Sequence, residues 1–309
     1  MPAPKPQSQF TPQPKSTRFF CSTPSLFGVS YTLILSPPSH FVFPILFYVL
    51  VHSLYHVRAF TTIFIVFFAL FFIINIIGLL EFSHMAEVIH IRVNRTMCIL
   101  SGSLLFISGF IHNYFGYKEG YLFFFSATFF MGIWELYRKS THAFQNMAFG
   151  IYALFYFTLP FTLLIYLPYL CTGRWQPDII FFPFLLVWFN DTFAYLFGSK
   201  FGKHKLFPRI SPKKSWEGTI GGGLTTLVGG LLIAPHIEGL SYIDTTVISA
   251  IVIVFGSFGD LVESMFKRCI EIKDSGHIMP GHGGVLDRLD SILYALPVIF
   301  VYIAFKFGC

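Results

Sequence analysis

The feature that most limits what this chain can become is a series of long apolar runs. They fall at residues 41–56, 60–80, 97–113, 121–137, 147–170, 178–197, 221–235, 245–262 and 291–307. A helix needs about 20 predominantly apolar residues to cross the hydrocarbon of a bilayer, and these runs approach that length. Backbone N–H and C=O groups cannot go unpaired in lipid, so such runs form helices and not open sheet. The composition agrees. Of 309 residues, 54% are hydrophobic, 12% are charged and 41 are Phe, whereas a soluble domain carries about a quarter charged residues. The predicted fold class is therefore all-α: a polytopic membrane protein of about nine transmembrane helices over residues 41–309.

Alternating through these spans places every Lys and Arg except Arg58, Lys118, Arg174 and Lys306 on one side. The excess of basic residues marks the cytoplasmic side of a membrane protein. The N-terminus is thus expected in the cytoplasm and the C-terminus outside. Residues 1–40 are rich in Pro, Ser and basic groups and hold no Asp or Glu. They read as a disordered or extraneous tail, with an acid-poor organelle transit peptide as the alternative. Cys21, Cys98, Cys171, Cys269 and Cys309 are odd in number and scattered, so neither a zinc site nor a disulfide framework is expected.

Two polar islands interrupt the apolar pattern on the basic side. The first is NDTFAYLFGSKFGKHKLFPRISPKKSWEGTIGGG, residues 190–223. The second runs from Gly259 to Asp290 and contains SMFKRCIEIKDSGHIMPGHGGVLDRLDS, residues 264–291. Both begin with acids inside apolar spans: Asp191 in one, Asp260 and Glu263 in the other. An acid there needs a partner or a cation, and for Asp191 a structural ion pair explains it equally well. In the second island Asp260, Asp274, Asp287 and Asp290 are interleaved with Lys267, Arg268, Lys273 and Arg288. Clustered Asp oxygens suit Mg²⁺, and Lys and Arg suit phosphate oxygens. Gly283 and Gly284, after His282, let backbone N–H groups approach an anion. A topology-setting basic loop would account for the cations but not for the interleaved Asp residues. In the first island Lys213 and Lys214 follow Ser211, and Glu217 precedes a glycine-rich helix start. Gly218 to Gly222 also fits small-residue helix packing. Metal, cations and open backbone together describe a site for polyphosphate.

The second island resembles the signature of the phosphatidate cytidylyltransferases, also called CDP-diacylglycerol synthases. The matching positions are Ser264, Lys267, Arg268, Lys273, Asp274, Gly276, Pro280, His282, Gly283, Gly284, Asp287, Arg288 and Asp290. The first island is similar to the bacterial form of the same family, and the resemblance covers roughly residues 60–307. It implies that CTP and phosphatidic acid give CDP-diacylglycerol and pyrophosphate in a bacterial inner (plasma) membrane. It also implies Mg²⁺ held by Asp260 and Asp287, with a second cation nearby, and Asp274 and Asp290 as further ligands or orienting groups. Lys267, Arg268, Lys273 and Arg288 would hold the triphosphate and lipid phosphate, with His282 as a phosphate contact. Substrate contacts are expected from Asn190, Asp191, Ser211, Lys213, Lys214, Glu217, Ser264, Gly283 and Gly284. The expected partners are CTP, phosphatidic acid and the bilayer, with a homodimer as a further expectation and no nucleic acid. The competing readings are a CTP-dependent lipid or polyprenol kinase, which would release CDP, and a secondary transporter with acids along its ion path.

Overall fold

A computed structural model of the protein describes residues 60–117, 119–272, 275–276 and 283–307. The apolar run at 41–56 lies outside these residues. Among them, eight long helices carry the chain: α1 (Phe60–Val88), α2 (Arg95–Phe115), α3 (Gly120–Arg138), α4 (Ala143–Leu170), α5 (Pro177–Phe201), α6 (Trp216–Ile233), α7 (Tyr242–Cys269) and α8 (Leu286–Phe307). Seven of them, all but α3, are long and apolar enough to cross a bilayer. The run expected to span at 121–137 does form α3, but Ser126, Thr128, Glu135 and Arg138 hold its mean hydropathy down. The molecule is an all-α, multi-pass membrane protein.

The helices outrun the apolar segments that announced them, as three of them show at the polar islands. α6 begins at Trp216 and not at 221, α8 at Leu286 and not at 291, and α7 continues past 262 to Cys269. The apolar pattern stops where charged side chains begin, but a helical backbone satisfies its own hydrogen bonds whatever its side chains are. Residues 264–269 and 286–290, expected in a loop, are therefore helical. A second departure is a two-stranded antiparallel hairpin, β1 (Lys205–Phe207) and β2 (Ser211–Ser215), with Lys205 opposite Ser215. Its turn places Pro208 second, where a fixed φ favours tight turns, and Ile210 N–H donates to Phe207 O at 3.2 Å.

α4 and α7 each contain a π-helical turn, Leu154–Thr158 and Val252–Gly256. The first precedes Pro160, which has no N–H to give and whose ring crowds the carbonyl of Tyr156; a wider turn absorbs both faults. Phe71, Phe106, Phe157, Phe161 and Phe182 fill the interior, while Phe123, Phe129, Leu232 and Phe305 point outward. Apolar side chains on the outside are what lipid requires.

Helices α5 and α6 touch through small residues. A Cβ on Gly218 would stand 2.6 Å from Ala194 O, and one on Gly222 would stand 2.7 Å from Asn190 O. At the crossing of α7 and α8, a Cβ on Gly259 would stand 2.4 Å from Asp290 O. The far ends of α7 and α8 are fastened by Asp244, 1% exposed, which pairs with Lys306 and accepts Tyr302 Oη at 2.6 Å. Ser241 and Asp244 also close the first turn of α7 as a capping box. Gly222→Val should therefore destabilise the protein by about 1–3 kcal/mol, the usual cost of overpacking. Leu224→Val on the outward face, where Leu224 is 60% exposed, should leave the thermal unfolding midpoint in detergent nearly unchanged.

Candidate active site

α5 and α7 end, and α6 and α8 begin, at one end of the bundle. Along α7, Asp260, Glu263, Ser264 and Lys267 recur at helical spacing and so share a face; along α8, Asp287 and Asp290 do the same. Lys267 Nζ lies 2.8 Å from Glu263 Oε2 and 2.8 Å from Asp287 Oδ1. The three side chains are 15%, 1% and 11% exposed. The second oxygen of Asp287 accepts the N–H of Gly284 at 2.8 Å and of Ser275 at 2.9 Å. Gly283 just before it has φ +82°, and a Cβ there would stand 2.6 Å from Asp287 Oδ2. That explains why this turn carries glycine.

A second ion pair joins the hairpin to this face. Lys214 of β2 pairs with Asp260, whose other oxygen accepts Ser264 Oγ at 3.2 Å. Asp290 is buried, and its Oδ1 accepts the N–H of Ser291 at 2.6 Å. Asp191, Asp260, Glu263 and Lys214 all lie within electrostatic reach of Asp290. The linked cluster thus sets five carboxylates (Asp191, Asp260, Glu263, Asp287, Asp290) against two lysines (Lys214, Lys267). Three buried polar atoms around it have no partner among the described residues: Glu263 Oε1, Asn190 Oδ1 and Tyr156 Oη. Tyr156 belongs to α4, and its hydroxyl faces Asp290 and Glu263 electrostatically.

The expected residues divide into those gathered here and those placed elsewhere. Asn190, Asp191, Lys214, Asp260, Ser264, Lys267, Gly283, Gly284, Asp287 and Asp290 surround the cluster. The N–H of Gly284 is turned to Asp287, and Lys267 is shared by two acids, so both serve the cluster's own cohesion. Glu217 faces the start of the hairpin: its carboxylate takes His204 Nδ1 at 2.7 Å and the N–H groups of Lys203 and His204 at 3.2 Å. Ser211 opens β2, Lys213 and Arg268 are exposed, and Arg288 is half-buried in the first turn of α8. Lys273, Asp274 and His282 lie outside the described residues. Two acids that belong to the site were not assigned to it from sequence. Glu263 had been noticed only as an acid within a span. Glu81, near the end of α1, is 4% exposed and accepts the N–H groups of Val285 and Leu286, each at 2.9 Å. The signal for Glu81 was a carboxylate placed directly after the apolar run 60–80.

Among the described residues no three His, Cys, Asp or Glu side chains stand as a ready metal-binding group. Asp260 and Asp287 are each taken up by a lysine. The donor chemistry still fits a hard divalent cation: carboxylates outnumber lysines, and oxygens of Glu263 and Asn190 are buried with no partner among the described residues.

Membrane helices thus converge on a cluster of acids and lysines at one end of a helical bundle. The chain belongs to the cytidylyltransferase family, whose sequence profile matches residues 41–306. The phosphatidate cytidylyltransferase of Staphylococcus saprophyticus is 41% identical over 163 residues, which is 52% of this chain and 60% of that relative. Those of Staphylococcus haemolyticus and Staphylococcus epidermidis are 47% and 49% identical over 121 residues, 39% of this chain and 46% of each relative. The matched region thus spans 60% or less of the length of these relatives.

Removing the shared lysine leaves two acids facing each other with little water. Lys267→Met should destabilise the protein by about 3 kcal/mol, as expected when one partner of a buried pair is removed. The double variant Lys267→Met/Glu263→Gln should recover part of that loss, because the fully buried acid is then neutral. Thermal unfolding in detergent checks both.

Proposed function

We propose that this protein transfers CMP from CTP to phosphatidic acid, giving CDP-diacylglycerol and pyrophosphate. The observation that carries the proposal is the cluster of five carboxylates and two lysines at the end of the membrane helices, in a chain of the cytidylyltransferase family. The similarity to the phosphatidate cytidylyltransferases of Staphylococcus supports the same reading.

In this reaction an oxygen of the lipid phosphate forms a bond to the α-phosphorus of CTP. The bond from that phosphorus to the bridging oxygen of the β-phosphate breaks, and pyrophosphate leaves with the electron pair. A phosphomonoester is already anionic at neutral pH, so no general base is needed. The protein must hold two anions together and offset their charge. Lys214 enters from a hairpin and can exchange Asp260 for a phosphate oxygen. Lys267 holds Asp287 beside Glu263, and Arg268 and Arg288 stand on the same helix ends. Mg²⁺, when bound, would neutralise charge on the triphosphate. Asp260 and Asp287 would hold it, with Asp191, Glu263 and Asp290 supplying the remaining negative charge and room for a second cation. A lipid substrate explains why the site closes the end of a transmembrane bundle: the acyl chains stay in the bilayer while the phosphate reaches the cluster.

We place the site end of the bundle, and the N-terminus, on the cytoplasmic side of a bacterial plasma membrane. Arg92, Arg95, Arg138, Lys200, Lys203, Lys205 and Arg209 gather at that end, in keeping with the positive-inside rule, and the relatives named above are bacterial.

Purified protein given CTP, Mg²⁺ and phosphatidic acid should release pyrophosphate only when the lipid is present. Chelation with EDTA should abolish the release, and Asp287→Asn should lower kcat by about 100-fold or more, the scale of losing one electrostatic element of such a site. Release of CDP would transfer the case to a lipid kinase. No turnover of CTP by folded protein would refute both enzyme readings.

A further inference from the structure

Glu81 sits on α1, far in sequence from every residue of the polar islands, yet its carboxylate is packed against the second of them. Oε1 accepts the N–H of Val285 at 2.9 Å and Oε2 that of Leu286 at 2.9 Å. Ser275 Oγ lies 3.5 Å from Oε2. Val285 and Leu286 open α8, where unpaired N–H groups and the helix dipole favour a negative charge. The backbone is pressed against the carboxylate. A Cβ on Gly284 would stand 2.6 Å from Oε2, and one on Gly276 would stand 2.7 Å from Oε1.

The same short segment is held from its other side by Asp287. Ser275 gives its N–H to Asp287 and turns its hydroxyl to Glu81. Gly284 gives its N–H to Asp287, while the next two N–H groups go to Glu81. Two carboxylates from different helices therefore share the donors of one turn. If Glu81 releases its share, the N–H groups of Val285 and Leu286 lose their acceptor, and the turn that also gives the Gly284 N–H to Asp287 is no longer held. Asp287 would then shift away from Lys267.

We infer that Glu81 is a positioning residue: it holds the Ser275–Gly284–Leu286 backbone so that Asp287 meets Lys267 in the geometry the reaction uses. This inference rests on the proposed cytidylyl transfer and adds a group from α1 to its machinery. Glu81 touches no substrate in this role. It acts through Asp287.

Glu81→Gln keeps the volume and one acceptor oxygen but sets an NH₂ group against backbone N–H donors. Its kcat should fall by about 10- to 100-fold, the scale of a displacement of about 1 Å in an active site, with the KM for CTP changed by less than about threefold. Glu81→Asp, which keeps the carboxylate on a shorter stem, should recover part of the rate. Asp244→Asn serves as the comparison, since it removes a buried charge at the far ends of α7 and α8. It should lower the unfolding temperature and leave kcat intact. Hydrogen exchange supplies a readout independent of turnover: amides of residues 284–286 should exchange about tenfold faster in Glu81→Gln, as local protection is lost, while those of 248–252 stay unchanged. A kcat within about twofold of the parent, unchanged exchange at 284–286, or a rate loss that merely tracks unfolding temperature across Glu81→Gln and Asp244→Asn would each overturn the inference. If Glu81→Gln does not fold, Glu81→Asp carries the same test. If the parent protein releases no pyrophosphate, the reaction is refuted, and the exchange experiment still decides whether Glu81 holds the turn.

Discussion

Taking a carboxylate out of water costs several kcal/mol unless cations or N–H donors meet it. This bundle takes several out of water at one end, and its organisation follows from how each is met. Glu263 and Asp287 are met by one ammonium group, that of Lys267. The other oxygen of Asp287 is met by two backbone N–H groups. Asp260 is met by Lys214, and Glu81 by the first N–H groups of α8. Each solution joins segments distant in sequence: α7 to α8, the hairpin to α7, and α1 to α8. The greasy helices supply the fold's bulk, but the acids decide which helix ends must come together.

The apolar surface divides in two. The Phe-rich interior packs ring against ring, as Phe157 does with Phe161 at 5.1 Å between centroids. The outward Phe and Leu residues of α3 and α6 need no protein neighbour, because lipid is their solvent. Helix association then depends on close backbone contact more than on hydrophobic driving force. Gly218, Gly222 and Gly259 supply it. Gly259 brings α7 against the backbone of Asp290, and that contact sets Asp260 and Glu263 beside the first turn of α8.

Much of this was legible in the sequence. Run length against bilayer thickness identified the helices and the fold class. The interleaving of Asp with Lys and Arg marked Asp260, Lys267, Asp287 and Asp290 as one locus, and the structure brings those side chains together. The helix ends were not legible, since apolar periodicity fades where polar function starts: Ser264 to Arg268 read as loop but are helix. The hairpin was missed because LFPRISPKKS has charge where a strand pattern would alternate, and its turn rests on a single proline. Glu81 was missed for another reason. A spacing motif relates residues near one another in the chain, and the contact from Glu81 to Leu286 crosses nearly the whole described chain.

The fastening of α7 to α8 at both ends has a mechanical consequence. Asp244 and Lys306 pin one end, and Lys267 with Asp287 pins the other, some 23 residues further along α7, or roughly 35 Å at helical rise. A pair of rods tied at both ends resists sliding and splaying alike. The hairpin joins this frame through a long, flexible lysine side chain. With α7 and α8 so fixed, Asp260, Glu263 and Asp287 keep their spacing as one rigid edge.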